Sequence, residues 1–159
     1  MVVYFGYGSN MWLKQMDKRC PQHTYLGIGY IRDWKWYISP LGYANIKRSP
    51  GDIVYGFVFA LVKIDEETLD RYEGVPKSYL KEYHPITLLG TKASPQKLET
   101  EALIYINEVF LEDGEPKEEY IDRMNCAIAD GIKEGIPEDY MEAYLRPFIP
   151  KRRPKCDDL

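Results

Sequence analysis

The sequence predicts one domain that mixes β-strands with α-helices, and three stretches carry this prediction. Residues 53–62 are almost all apolar, which indicates a central strand covered on both faces. Residues 120–132 repeat their apolar side chains at helical spacing and predict a helix with one buried face. Residues 2–5 are β-branched or aromatic and precede a glycine-containing loop, so they predict a short buried strand. At 159 residues the chain is long enough to bury a substantial core.

The other elements are predicted in chain order from strand-forming residues, helix caps and turn signals. Strands are expected at residues 24–31, 34–39, 43–46, 79–89 and 102–106, with a break near Arg32 and Asp33 and a turn at 49–52. Helices are expected after residue 10, at 64–74, from Pro116 to Gly135 and at 138–145. The domain is expected to span residues 1–150, and the basic segment 151–159 is expected to be a solvated, mobile tail.

Composition argues against several classes of protein. A net charge of -4 does not suit a protein that coats nucleic acid non-specifically. Cys20, Cys126 and Cys156 are far apart and lack zinc-site spacing, so neither a metal site nor a disulfide framework is expected. His23 and His84 have no ligand partner at helical spacing. The chain shows no secretory signal and no apolar run of transmembrane length, so the expected location is cytoplasmic.

Residues 7–11, Tyr-Gly-Ser-Asn-Met, are the first candidate functional site. Gly6 and Gly8 permit a tight loop, and Ser9 and Asn10 suit the cap of a following helix. Such a strand–loop–helix junction leaves backbone N–H groups that can bind an anion such as a carboxylate. The loop lacks the glycines of a dinucleotide fingerprint and of a nucleophile elbow, so Ser9 is interpreted as a cap or ligand contact. The alternative is that the glycines only turn the chain.

Glu73 is the second candidate, because it stands at the C-terminal end of a predicted helix. The partial negative charge of a helix C-terminus disfavours a carboxylate, whereas the other residues of 64–74 suit their positions. This conflict is typical of a carboxylate kept for chemistry, with the raised pKa that a general base needs. The alternative is an exposed glutamate, tolerated at a cost of roughly a few tenths of a kcal/mol.

Three parts of the sequence together resemble the γ-glutamylcyclotransferase family. Residues 7–11 resemble the family's YGSN-type substrate loop, which follows its first strand. Residues 49–60 and 69–75 resemble its SPGDxVxGxV and LDxxEGV segments, and residues 135–140 resemble its GLPxxY segment. The parts occur in the family's order and span nearly the whole chain.

The resemblance implies an α+β (mixed αβ) fold, in which helices flank a small barrel-like mixed β-sheet. It also implies a reaction without a cofactor, in which the α-amine of a γ-glutamyl group attacks its own γ-carbonyl. The products are 5-oxoproline and a free amino acid or amine. The family's catalytic acid/base falls on Glu73. Its substrate-binding residues fall on Tyr7, Gly8, Ser9, Asn10, Met11, Leu13, Tyr79, Tyr105 and Tyr120.

The substrate is left open among several γ-glutamyl compounds. Ser9 and Asn10 resemble the branch that acts on γ-glutamyl amino acids, whereas branches acting on γ-glutamyl-ε-lysine or glutathione tend to differ there. Removal of a γ-glutamyl protecting group in a specialised biosynthesis is an alternative. So is a non-catalytic module that binds a small carboxylate or a protein. The expected partner is a small γ-glutamyl molecule, not nucleic acid or a membrane, and the resemblance alone suggests a homodimer.

Overall fold

The computed structural model describes residues 1–158, and the centre of the fold is a closed barrel of strands. The strands are β1 (Val2–Gly6), β2 (Thr24–Ile38), β3 (Ala44–Leu61), β4 (Leu80–Gly90) and β5 (Pro95–Ile106). Their order is β1, β3, β2, β4, β5, and β5 closes the barrel by pairing with β1. Neighbouring strands are antiparallel except β1 and β5, which are parallel. The expected mixed, barrel-like sheet is therefore confirmed.

Helices cover the barrel and complete its core. They are α1 (Leu13–Arg19), α2 (Lys63–Tyr72), α3 (Glu118–Glu134) and α4 (Glu138–Tyr140), and α4 continues as a π-helical turn over Met141–Leu145. Trp36, Phe57 and Phe59 are fully buried in the core. The apolar face of α3 is buried as its spacing predicted, with Met124 and Ile128 inside. Within residues 1–158 no helix is both long and apolar enough to span a bilayer.

The hairpin of β2 and β3 corrects two predictions. The expected break in β2 is absent, and the turn expected at residues 49–52 lies inside β3. The register moves from Arg32 opposite Ile53 to Trp34 opposite Arg48, so residues 49–52 form an outward bulge opposite one residue, Asp33. The Gly51 N–H donates to Asp33 Oδ1 at 2.9 Å and ties the bulge to β2. Turn-forming residues here bend a long strand without reversing it.

The start of the first helix also differs from the prediction. Ser9–Met11 form a short 3-10 turn, α1 begins only at Leu13, and neither Ser9 nor Asn10 caps a helix with its side chain. Both side chains have another partner, because Gln15 Nε2 donates to Ser9 Oγ and to Asn10 Oδ1, each at 2.9 Å. The two predicted caps therefore hold the loop together.

Two expectations about the C-terminus are wrong. Cys126 on α3 and Cys156 form a disulfide, although no disulfide was expected. The segment after Pro150 folds back along α3, and Arg152 pairs there with Glu118 at 3.0 Å. Its basic side chains are largely exposed, as expected, but the segment up to Cys156 is tied to α3 and is not a mobile tail.

Candidate functional site

A cavity of about 230 Å³ opens between the N-terminal loop, the end of α2 and the start of α3. Its lining residues are Tyr4, Phe5, Tyr7, Gly8, Ser9, Asn10, Arg19, Tyr43, Ala44, Tyr72, Glu73, Gly74, Ser78, Tyr79, Tyr105, Tyr120 and Arg123. Seven of these are tyrosines, which is half of the 14 in the chain. The tyrosine-rich composition is therefore concentrated around one polar cavity.

The backbone of the loop contributes hydrogen-bond donors to this cavity. The Ser9 N–H donates to the Tyr120 hydroxyl at 3.3 Å. The N–H groups of Gly8 and Asn10 donate to no group in the part of the chain that the structure describes. A Cβ on Gly8 would lie 2.9 Å from the Tyr120 hydroxyl, so glycine is needed where α3 approaches the loop. Two free donors at a cavity wall can bind an anionic oxygen.

The side chains of the loop hold this backbone in place. The Asn10 amide donates to the Tyr4 hydroxyl at 2.9 Å, and its oxygen accepts from Arg19 at 3.3 Å. Ser9 Oγ lies 3.5 Å from Arg123 Nη1. None of these hydrogen bonds joins Ser9 to a base that could make its hydroxyl a nucleophile. The hydrogen bonds of Ser9 and Asn10 instead hold the loop in position.

Glu73 follows the last residue of α2 and lines the cavity. Gly74 adopts the left-handed φ of 65° that ends the helix, as the sequence predicted. Burial raises the pKa of the Glu73 carboxyl to about 7, although the positive charges of Arg19 and Arg123 oppose this rise. No hydrogen bond or ion pair from residues 1–158 engages this carboxylate. It is therefore free to exchange a proton with a molecule in the cavity.

The tyrosine hydroxyls around Glu73 remain protonated at neutral pH. Burial raises the pKa of each hydroxyl, and the negative charge of nearby Glu73 raises it further. This holds for Tyr4, Tyr7, Tyr79, Tyr105 and Tyr120. Three of them donate to protein oxygens: Tyr7 to the Tyr105 carbonyl at 2.6 Å, Tyr79 to the Ala44 carbonyl at 2.7 Å, and Tyr105 to Asp70 Oδ1 at 2.6 Å. The hydroxyls of Tyr4 and Tyr120 accept bonds from the loop and can still donate.

Most of the residues predicted to bind substrate come together here, but two do not. Met11 is fully buried in the core, and it does not line the cavity. Leu13 also lies outside the cavity, and its N–H donates to Asp130 Oδ2 at 2.9 Å. These two residues support the loop from behind. Across the described chain, no group of three or more His, Cys, Asp or Glu side chains is placed to hold a metal ion.

Sequence reasoning missed nine of the residues that line the cavity, and three of these, Tyr4, Arg19 and Arg123, act on Glu73 or on the loop. Arg123 lies three positions after Tyr120 on α3 and therefore shares its face, a spacing that could have identified it. Tyr4 precedes Phe5 on β1, and Arg19 is the last residue of α1. Nothing in the local sequence around Tyr4 or Arg19 shows that either side chain faces Glu73.

Comparisons with protein families and with known proteins agree on one family. Residues 4–123 match the model of a family described as "Gamma-glutamyl cyclotransferase, AIG2-like". The chain is 26% identical over 151 residues to the mouse protein named Gamma-glutamylcyclotransferase, and 27% identical over 154 residues to the human one. Each alignment covers 88% of this chain and 75% of the relative.

Solved structures share the fold. A crystal structure of an uncharacterised human protein has a TM-score of 0.77 and 24% identity, and covers 99% of this chain and 96% of its own. A structure named Gamma-glutamyl cyclotransferase has a TM-score of 0.75 and 22% identity, with the same coverage. At these identities the likeness shows the fold. Together with the match over residues 4–123, it means that this chain belongs to the gamma-glutamyl cyclotransferase, AIG2-like family.

Proposed function

We propose that the protein is a γ-glutamylcyclotransferase in which Glu73 acts as general base and general acid. One observation carries the proposal: the Glu73 carboxylate lines the cavity without a partner, and its pKa is raised to about 7. A general base works best when its pKa is close to the working pH. The mouse and human relatives of the same name support this reaction class.

The chemistry is a transfer of the acyl group within one substrate molecule. At neutral pH the substrate α-amine is mostly protonated and cannot attack. Ionised Glu73 removes a proton, the amine nitrogen bonds to the γ-carbonyl carbon, and the original carbon–nitrogen bond breaks. Two protons pass from the attacking to the departing nitrogen, which leaves as an ammonium group. Glu73 carries each proton in turn and ends ionised, while the ring product is 5-oxoproline.

The cavity supplies the positioning that ring closure needs. Holding the amine close to the carbonyl accounts for much of the acceleration in such intramolecular reactions. The free N–H groups of Gly8 and Asn10 can bind the substrate α-carboxylate or the oxyanion that develops on the γ-carbonyl. The hydroxyls of Tyr4 and Tyr120 are further donors. A volume of about 230 Å³ is below the ~300–1,000 Å³ of typical drug-sized sites, so the cavity suits a γ-glutamyl group.

The proposal needs no cofactor, because both reacting groups belong to the substrate and no electrons leave it. The partner is a small γ-glutamyl molecule, acted on in the cytoplasm. The homodimer suggested by the family resemblance stays a prediction.

The test is a 5-oxoproline assay on the purified protein. γ-Glutamyl-alanine, γ-glutamyl-ε-lysine and glutathione are supplied in parallel to the wild type and to Glu73→Gln. We expect product from γ-glutamyl-alanine, and a loss in Glu73→Gln of about 10²–10⁴-fold, the usual contribution of a general acid–base group. Glu67→Gln is the matched control, since Glu67 is exposed on α2 and lines no cavity.

Each other outcome corrects a different part of the proposal. Full turnover in Glu73→Gln would eliminate Glu73 as the base. Product from another substrate alone would retain the chemistry and change the branch. Saturable binding of γ-glutamyl compounds without product would favour a non-catalytic binding module, a function that the free N–H donors of Gly8 and Asn10 would also permit.

A further inference from the structure

The carbonyl oxygen of Tyr7 accepts a hydrogen bond from a tryptophan that the proposed reaction leaves without a role. Trp36 Nε1 donates to this oxygen at 3.0 Å. Trp36 is fully buried on β2, and its ring packs against Phe148 with the ring centroids 6.0 Å apart. Tyr7 and Gly8 line the cavity, but Trp36 does not. The indole therefore approaches the N-terminal loop from the core and not from the cavity.

The orientation of the Tyr7 carbonyl determines the orientation of the next N–H group. The peptide bond between Tyr7 and Gly8 is trans, and in a trans peptide the C=O and the N–H point in opposite directions. A carbonyl that points to the indole in the core thus turns the Gly8 N–H to the other side of the loop, where the cavity lies. This N–H is one of the two free donors that can bind an anionic oxygen of the substrate.

The two ends of this peptide are held, but its plane can still rotate. The Tyr7 hydroxyl donates to the Tyr105 carbonyl at 2.6 Å, and the Gly8 carbonyl accepts from the Met11 N–H at 3.0 Å. Rotation of the peptide between fixed Cα atoms changes ψ of Tyr7 and φ of Gly8. Glycine adopts φ values of either sign at little cost, so Gly8 permits this rotation.

The indole N–H opposes the rotation. Without it, the Tyr7 carbonyl would lose its donor inside the core, which is costly for a buried polar group. Rotation towards the water of the cavity would relieve that cost. The rotated peptide would present a carbonyl oxygen where the substrate anion should bind, and the Gly8 N–H would point into the core.

We propose that Trp36 is a positioning residue, whose indole N–H fixes the peptide between Tyr7 and Gly8 so that the Gly8 N–H points at an anionic oxygen of the substrate. The inference rests on the proposed function and adds to it a residue from outside the cavity. Trp36 contacts no reacting atom and acts through one peptide group of the loop.

The kinetic test removes the indole N–H in two ways. Trp36→Phe keeps an aromatic ring, and 3-benzothienylalanine at position 36 keeps the whole shape of the side chain, with sulfur in place of the N–H. We expect either change to lower kcat/KM for γ-glutamyl-alanine at least about tenfold, since loss of one oxyanion-hole donor costs about 10²–10³-fold in kcat. The midpoint of the pH profile should stay at about 7, because the surroundings of the Glu73 carboxyl are unchanged.

Trp34→Phe is the matched control. Trp34 lies two residues earlier on β2 and is also buried, and its ring contacts Arg48 and His84. It does not line the cavity. Because both Phe variants lose packing around a buried ring, the control should keep the wild-type kcat/KM if the N–H of Trp36 is what matters.

Selective labelling observes the peptide itself. Tyr is followed by Gly at two places in the sequence, residues 7–8 and 55–56. Protein with ¹³C in its tyrosine carbonyls and ¹⁵N in its glycines therefore gives two carbonyl–amide NMR correlations, and that of Gly56 on β3 is an internal reference. Added 5-oxoproline should shift the Gly8 N–H signal in the wild type but not in the benzothienylalanine variant. A tryptophan that only filled the core would leave this response intact.

Failure of this inference differs from failure of the proposed function. Unchanged kcat/KM in the benzothienylalanine variant, or a Gly8 response that persists there, would overturn the inference while product formation upheld the reaction. If folded wild type made no 5-oxoproline, the reaction would be overturned instead. The Tyr7 carbonyl carbon signal of the ligand-free protein would then decide the role of Trp36. Loss of the hydrogen bond should move it upfield in the variant, and an unmoved signal would overturn the inference.

Discussion

The Glu73 carboxyl is held in a state that lowers the stability of the folded protein. Its pKa is about 7 in the folded chain, against an ordinary value of 4.5. Between these two pH values the folded state keeps a proton that the unfolded state releases, so stability falls as pH rises through this window. Above pH 7 the whole penalty is present, and below pH 4.5 it is absent. The protein is therefore less stable above pH 7 because it keeps a reactive carboxylate in the cavity.

Glu73→Gln should consequently stabilise the protein at pH 8 while it lowers turnover. We expect a gain of about 1–3 kcal/mol in the free energy of unfolding, after allowance for the partly open position of the side chain. The gain should vanish at pH 4, where both states of the wild type are protonated. Denaturant unfolding at the two pH values measures this, with Glu67→Gln as the control. A loss of stability at pH 8 would contradict the assignment of a buried, unpaired carboxylate.

The pH dependence of activity should report the same group. Since the ionised form of Glu73 is the base, kcat/KM for γ-glutamyl-alanine should rise with pH to a plateau, with its midpoint at about 7. Arg19→Gln removes the positive charge that lowers this pKa most, so the midpoint should move to higher pH. Arg71→Gln removes an exposed arginine that does not line the cavity and does not shift this pKa, so it should leave the midpoint in place. A midpoint near 4.5 would show that Glu73 is not buried during catalysis.

The N-terminal loop and α3 form the wall opposite the end of α2, and their close approach depends on Gly8. The loop is fixed from two sides: by Gln15 through the side chains of Ser9 and Asn10, and by the Tyr120 hydroxyl through the Ser9 N–H. The free donors of the loop thus keep a defined position relative to Glu73. Such preorganised donors stabilise a developing negative charge more effectively than mobile ones.

Gly8→Ala tests this approach. Its Cβ would lie 2.9 Å from the Tyr120 hydroxyl and 3.2 Å from Ala44 Cβ, so the loop must shift. We expect kcat/KM to fall by about tenfold or more, because displaced donors lose alignment with the reacting oxygen. The double variant Gly8→Ala/Tyr120→Phe removes the closest contact, and its loss should be smaller than the sum of the two single losses. Additive losses would show that Gly8 and Tyr120 act independently.

Local signals in the sequence predicted the elements that depend on the conformational preferences of a few neighbouring residues. The end of α2 at Gly74 and the buried strand at residues 53–62 follow from conformational preferences that act within a few residues. The bulge at residues 49–52 could not be predicted, because the same residues form a turn or a bulge according to the partner strand. Ser9 caps no helix because α1 begins only at Leu13, and the Ser9 hydroxyl accepts from Gln15 instead.

The candidate site was predictable only where a residue stands out from its local sequence. Glu73 conflicts with the charge preference of its helix end, and the glycine loop stands out from its neighbours. Arg19, Arg123 and Tyr4 obey ordinary local rules, and only the closing of the barrel brings them around Glu73. Their contribution depends on contacts between residues that are far apart in the chain, which no local pattern encodes.

The two ends of the chain meet on the same side of the molecule. Lys14 on α1 donates to the Cys156 carbonyl at 3.3 Å, and the disulfide joins Cys156 to Cys126 on α3. α3 also carries Tyr120 and Arg123, so the C-terminal segment braces the helix that forms one wall of the cavity.

Loss of the disulfide should destabilise the protein by an amount set by the loop that it closes. Cys126 and Cys156 are 30 residues apart, and the chain-entropy relation gives about 3–4 kcal/mol for a loop of that length. For a chain of this size that corresponds to a fall in Tm of about 6–16 °C. Cys156→Ser is the variant to use, because Cys126 is buried and its replacement would also disturb the core. Reductant should lower the Tm of the wild type to that of Cys156→Ser and should leave the variant unchanged, since buried Cys20 has no disulfide partner to lose. A wild-type Tm that is indifferent to complete reduction would contradict a bracing role for this bond.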